Sequence, residues 1–213
     1  MRVRKMYKTL VACLLVGILS AGQIMAQNKF DMPPKWAGYP IVIASHESQF
    51  DYLSINKGKE LREERVERYT VIVNSDKADA AYNSIYFPVD FKVNVTKVSS
   101  SGSKSYDETD AMNFLDVNSI PNLYRSMFAG YESFDYINFG KLKKGDKIEV
   151  ELTQTIEKSA SDHFGGTDCG AFRHHVLTFP KEMPSGSHLI TIRASKGMYL
   201  NYESMNRGPS IEI

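Results

Sequence analysis

Cysteine is almost missing from this 213-residue chain: there are two, Cys13 and Cys169. Cys13 falls inside an N-terminal segment with the marks of a targeting signal, so the processed chain has one thiol and no internal disulfide. A small exported domain without a disulfide must be held by an ordinary apolar core. Charge of one sign is missing too, with 26 Lys and Arg against 25 Asp and Glu. Loss of residues 1–26 removes Arg2, Arg4, Lys5 and Lys8 and no acid, which moves the net charge from +1 to −3. No basic field remains to attract a phosphate backbone or an anionic membrane, which argues against nucleic-acid binding. The one long apolar run, residues 10–19, is shorter than the roughly 20 residues a spanning helix needs, so no membrane span is expected in the mature chain. There is one tryptophan, Trp36, and no internal repeat or heptad.

That N-terminal segment has a basic start, an apolar run and small residues up to Ala26, the order of a secretory signal peptide. Residues 10–13 (Leu-Val-Ala-Cys) resemble a lipoprotein cleavage box. Almost no apolar segment precedes Cys13, however, so the box stands at the wrong end. The expectation is export, to the periplasm or surface of a Gram-negative bacterium. Residues 27–40 form an irregular leader, because Pro33, Pro34 and Pro40 cannot sit inside a central strand or helix. Trp36 is expected to plug one end of the core.

The remainder, residues 41–213, reads as a single β domain organised around residues 134–157. Ile148, Val150, Leu152 and Ile156 alternate with Lys147, Glu149, Glu151, Thr153, Thr155 and Glu157, the period of a half-buried strand with one wet face. The Gly145-Asp146 break predicts a turn that pairs this strand with the aromatic strand 134–139. Upstream, residues 41–55 predict a strand, Asn56 to Lys59 a turn, and 60–74 its hairpin partner. The alternating charges of residues 60–68 are read as a solvated face. Ser75 or Asp76 caps a short helix over 77–82. Strands follow over 84–89 and 91–98, then a flexible loop at 99–103 and a solvated acidic loop over 106–117, whose spacing does not fit a calcium loop. Asn118 or Ser119 caps a helix to Met127 with Pro121 in its first turn. Residues 187–194 and 198–204 predict a last strand pair turning at Lys196-Gly197, and residues 210–213 are strand-like without a closing element. The fold expected is mainly β: an antiparallel two-sheet sandwich-like domain with one or two short helices.

Chemistry is sparse. Residues 162–175 place Asp168 before Cys169 and small residues after it, which resembles the nucleophile segment of papain-like and cell-wall cysteine peptidases. Such enzymes need a histidine base returning from a distant strand. His174 and His175 are too close for that, and only His188 lies further on. A metal site from His163, Cys169 and His174 (or His175) matches no closed four-ligand zinc spacing, and adjacent strand histidines face opposite ways. No catalytic residue, metal or cofactor is therefore expected, and Cys169 belongs to a glycine-rich loop. If the domain binds a glycan or a peptide, Tyr131, Phe134 and Tyr136 are the candidates, provided they are exposed together on one face.

Residues 134–139, the run Leu142 to Glu151 with its Lys-Lys-Gly-Asp turn, the hairpin from Gly58 to Val73 and the late segment 188–202 together resemble a family. It is the β-sandwich-like domain of unknown function that precedes transglutaminase-like domains in exported bacterial proteins. The resemblance covers roughly residues 40–205 and rests on structural motifs. It implies a non-catalytic module whose partner is a neighbouring domain or an envelope protein. The papain-like core that carries chemistry in such proteins has no counterpart here.

Overall fold

The computed structural model describes residues 32–76, 82–114, 117–159 and 184–198. From Pro34 onward they belong to one compact unit. Among the described residues the strands are β1 (Ile41–Ile55), β2 (Glu60–Val73), β3 (Ser84–Pro88), β4 (Lys92–Ser99), β5 (Gly102–Asp107), β6 (Met112–Phe114), β7 (Phe134–Asn138), β8 (Lys147–Ser159) and β9 (Ser185–Ala194). Among the described residues one α-helix, α1 (Asn122–Met127), and short 3-10 turns complete them. Six strands form one sheet in the order β5-β4-β8-β2-β1-β9, and three form a second in the order β3-β7-β6. This is the mainly β, two-sheet sandwich-like architecture that the alternation predicts. Among the described residues no helix is long and apolar enough to cross a membrane.

The core draws on both sheets and on α1: Val71, Val95, Val150 and Leu152 from the large sheet, Ile85, Phe87, Phe134 and Ile137 from the small one, and Leu123 and Met127 from the helix. Each fully buried Leu, Ile or Phe contributes about 1.5–3 kcal/mol over an exposed one. The inner and outer faces of β8 alternate as its sequence does. Gln154 takes an inner position between Leu152 and Ile156.

The β1–β2 hairpin forms across Asn56–Gly58, where Asn56, Lys57 and Gly58 all have positive φ. The pairing expected of residues 134–139 with 147–157 does not occur. β7 pairs with β3 and β6, whereas β8 lies between β2 and β4. The reason is the loop between them. Leu142 is buried in the core, Gly145 N donates to Val73 O at 2.8 Å, and Val73 N donates to Asp146 O at 2.9 Å. The Asp146 carboxylate accepts from Lys143 N at 3.0 Å and lies 3.6 Å from Lys97 Nζ. The Lys-Lys-Gly-Asp turn is thus tied to the end of β2 and carries the chain from the small sheet to the large one.

Other expectations change in detail. Residues 99–103 are a tight hairpin turn between β4 and β5, closed by Gly102 with φ +126, rather than a loose loop. The helix begins at Asn122 with Pro121 as its N-cap, later than a cap at Asn118 or Ser119 would place it. Trp36 sits half-buried in a 3-10 turn with Lys35 Nζ 5.6 Å from its ring, outside the core. β9 runs parallel to β1, at the sheet edge. Residues 1–31, most of the helix expected at 77–82, the glycine-rich segment with His163, Cys169, His174 and His175, and the strand expected at 198–204 beyond Met198 lie outside the described residues.

Candidate functional site

A strand turns residues i and i+2 to the same side. On β2 the inner side carries Val73, Val71 and Tyr69 into the core, and then, in the same parity, Glu67, Arg65 and Glu63. The charged run is therefore not a solvated face. Arg62, Glu64 and Arg68 point outward, while Glu63, Arg65 and Glu67 are sealed inside at 1 %, 3 % and 2 % exposure. On β1 a bulge at Ala44 changes the parity. Ile41 and Ile43 face the core before it, and His46, Ser48, Phe50 and Tyr52 after it. Register then sets His46 beside Tyr69, Ser48 beside Glu67, Phe50 beside Arg65 and Tyr52 beside Glu63. On the other side of β1, the parallel β9 brings His188 beside His46.

These side chains form one network. Arg65 donates to Glu67 Oε1 from Nε at 2.8 Å, and its Nη2 lies 2.7 Å from the same oxygen. Glu67 Oε2 takes the Ser48 hydroxyl at 2.5 Å and lies 2.9 Å from His46 Nε2. Ser48 Oγ lies 3.0 Å from His188 Nε2. The His46 and His188 rings stack with centroids 4.0 Å apart and 12° between their planes. A carboxylate only accepts, so the one Ser48 proton is committed to Glu67. It follows that Nε2–H of His188 donates to Ser48, and Nε2–H of His46 to Glu67. The Arg65 guanidinium carbon lies 5.3 Å from the Phe50 ring, 5.4 Å from Phe91, 5.7 Å from Phe128 and 6.0 Å from Tyr131. A buried cation is here enclosed by aromatic rings and one carboxylate.

Burial acts to raise the Glu67 pKa, but the hydrogen bond from His46, the charges of Arg65 and His46 and the Ser48 hydroxyl outweigh it and hold the carboxyl below its ordinary value. Burial pushes His188 down to about 4, with His46 acting in the same direction and Glu67 against it. Tyr52 is pushed up to about 12 by burial and then by Glu63, with Arg65 opposing.

The arrangement does not meet the needs of a nucleophile or a metal. Ser48 is 0 % exposed and gives its proton directly to a carboxylate, leaving no path for a substrate. A metal-bound imidazole directs its lone pair in the ring plane, so two nearly parallel rings cannot both aim at one ion. Among the described residues no group of three or more His, Cys, Asp or Glu side chains is placed to hold a metal ion.

Of the residues singled out from the sequence, Phe134 is core, packed near Phe128. It is no part of an exposed platform. Tyr131 is half-buried, donates to Gln154 Oε1 at 2.8 Å and borders Arg65. Tyr136 is half-buried on the small sheet and stacks on Tyr86, with centroids 5.7 Å apart. The three do not share one exposed face.

No protein-family model matches the chain, and no curated protein does. Among solved structures, a crystal structure of Legionella pneumophila aminopeptidase A in complex with aspartic acid is similar over 53 % of this chain, at 14 % identity and a TM-score of 0.27. The chain spans about a tenth of that protein's length, since the match covers 10 % of it. A likeness at that level carries no argument about fold or function.

Proposed function

We propose that the chain is an exported, non-enzymatic structural or interaction module, a domain that supports a neighbouring domain or envelope partner and does no chemistry of its own. The observation that carries this reading is the closure of the convergent polar cluster. Ser48, Arg65 and Glu67 are sealed from solvent and spend their hydrogen bonds on joining β1, β2 and β9. The outer face of the same sheet is laced with ion pairs: Arg62 with Glu157 at 2.6 Å, and Arg68 with Glu151 at 2.6 Å and with Glu47 at 3.8 Å. Such pairs leave few charges uncommitted for a small ligand. Accompaniment of a transglutaminase-like domain, as the sequence resemblance implies, belongs to this proposal.

A serine-directed fluorophosphonate tests it. The native protein is expected to remain unlabelled, and Ser48→Ala to lower the melting temperature without abolishing any turnover. Stoichiometric labelling at Ser48 would replace the structural reading with a hydrolase.

A second reading, a glycan- or peptide-binding module, is favoured by one row across the small sheet. Tyr86 stacks on Tyr136, and Met112, 45 % exposed, is the register partner of Tyr136 on the other side. It requires Tyr136→Ala to abolish retention on an oligosaccharide or peptide array while the melting temperature holds.

A further inference from the structure

We propose that β5 is a self-association edge: two copies of the chain pair antiparallel through residues 103–107, about a two-fold axis at Ser105, and join their large sheets. Among the described residues β5 ends the large sheet, with β4 beside it. Its ladder to β4 runs from Asn94–Asp107 to Ser99–Gly102. Gly102, Ser103, Lys104, Ser105 and Asp107 are all exposed. An open strand edge is a template for a further strand, and native edges are commonly blunted by a proline, a bulge or an outstretched lysine. β5 contains no proline, and its register with β4 is unbroken. Its single lysine, Lys104, is drawn back over the ring of Tyr106, with Nζ 4.4 Å from the centroid.

Register identifies the occupant. Tyr106 faces the core and Lys104 shares its side of the sheet, while Ser103, Ser105 and Asp107 take the other side. Opposed residues of an antiparallel pair lie on one face, so a two-fold axis normal to the sheet sets one residue against its own copy. An axis at Lys104 would oppose two lysines. An axis at Tyr106 would carry the pairing past Asp107 into the 3-10 turn Glu108–Asp110, where the strand has ended. An axis at Ser105 keeps residues 103–107 inside β5. It sets Ser105 against Ser105, Ser103 against Asp107 and Lys104 against Tyr106, so no like charges meet and each lysine gains a second ring. Asp107 Oδ1 accepts from Thr109 N at 2.8 Å and from Thr109 Oγ1 at 2.6 Å. Its Oδ2 is left to accept the Ser103 hydroxyl of the other copy.

A second copy is the partner because the edge is complementary to itself in this register. The pairing uses the same strand of each copy and therefore closes at a dimer rather than growing into a fibre. A contact through residues 103–107 buries less than a standard interface. The association is accordingly weak, with a dissociation constant on the order of 100 μM.

Sedimentation equilibrium of the whole protein, from about 10 μM to about 1 mM, reads this directly, and a monomer–dimer equilibrium is expected. Ser105→Lys and Ser105→Asp each set like charges across the axis. Both are expected to weaken the dimer roughly fivefold although their signs are opposite, the mark of a residue that meets its own copy. Ser103→Lys meets Asp107 of the other copy and is expected to tighten the dimer about fivefold, a gain that misfolding cannot produce. A monomer at every concentration, opposite effects or no effect of S105K and S105D, or no gain in S103K would overturn the proposal. If the Ser105 variants do not fold, S103K decides: tighter association sustains the two-fold pairing, and an unchanged constant ends it.

Discussion

Arg65 and Glu67, two residues apart on one face of β2, meet in a two-pronged contact in the interior, with Nε at 2.8 Å and Nη2 at 2.7 Å from the same carboxylate oxygen. Breaking a buried pair from one side leaves the other charge stranded, at a cost of about 3–5 kcal/mol. Glu67→Leu is therefore expected to reduce the urea unfolding free energy by at least that amount, and Arg65→Met combined with Glu67→Leu to recover part of it, since Ser48 and His46 still lose their acceptor. If the double variant is no more stable than the single one, the loss comes from the Ser48 and His46 contacts and the aromatic rings hold Arg65 without the carboxylate.

Gly186 marks where β9 approaches the β1 bulge most closely. A Cβ built there would lie 2.2 Å from Ala44 O, a backbone atom that cannot swing aside. Gly186→Ala is expected to displace the start of β9 and to cost roughly 1–3 kcal/mol, read as lower exchange protection at 185–194 with β2 unaffected. Unchanged protection throughout β9 would mean that the two strands are farther apart than this register requires.

Much of the fold was legible because period two survives in β2, β4 and β8, and because Asn56 to Gly58 carry recognisable turn chemistry. Pairing was less so. Whether residues 134–139 join residues 147–157 or a different sheet depends on Leu142 and Asp146 finding partners distant in sequence. The buried cluster was half visible. Once residues 60–74 are one strand, the parity of Tyr69, Val71 and Val73 extends backward through Glu67, Arg65 and Glu63 and marks them as inward. His46 and Ser48 carry no such signal, since the bulge at Ala44 reverses the parity that Ile41 and Ile43 establish. His188 was legible only as a strand residue, because its place depends on parallel pairing with β1.

Acid stability depends on Glu67. Its folded pKa is depressed below the ordinary 4.5, with burial acting against the shift and the His46, Arg65 and Ser48 contacts producing it. A depressed carboxyl contributes stability that is present above its unfolded value and is lost as pH falls through the folded one. Urea midpoints measured from pH 6 to 2 are expected to drop below pH 4.5 in the wild type. In Glu67→Gln, which carries no titrating carboxyl, the drop over that range is expected to be shallower. Parallel curves for the two proteins would assign the acid sensitivity elsewhere.

Alkaline behaviour depends on Tyr52, Tyr69 and Tyr124, three of the tyrosines buried among the described residues. Tyr52 is pushed up to about 12 by burial and by Glu63. Tyr69 is held well above its ordinary value and Tyr124 is raised as well, burial being the main cause in each. A raised folded pKa contributes stability that is fully present below the unfolded value near 10 and is lost as pH climbs through the folded one. At pH 11 the folded protein is thus expected to show the 295 nm absorbance of at least three fewer tyrosinates than the unfolded protein, the remainder appearing only as the far-UV dichroism collapses. Every tyrosine ionising reversibly near pH 10 with dichroism intact would contradict the packing of these rings. Tyr69 allows a sharper check, since its buried hydroxyl has no hydrogen-bond partner among the described residues. An unsatisfied buried hydroxyl costs about 1–3 kcal/mol, so Tyr69→Phe is expected to raise the urea midpoint and leave the ring's contact with His46 in place. Destabilisation by Y69F would show that the hydroxyl does find a partner, and a buried water beside it would be the first one to seek.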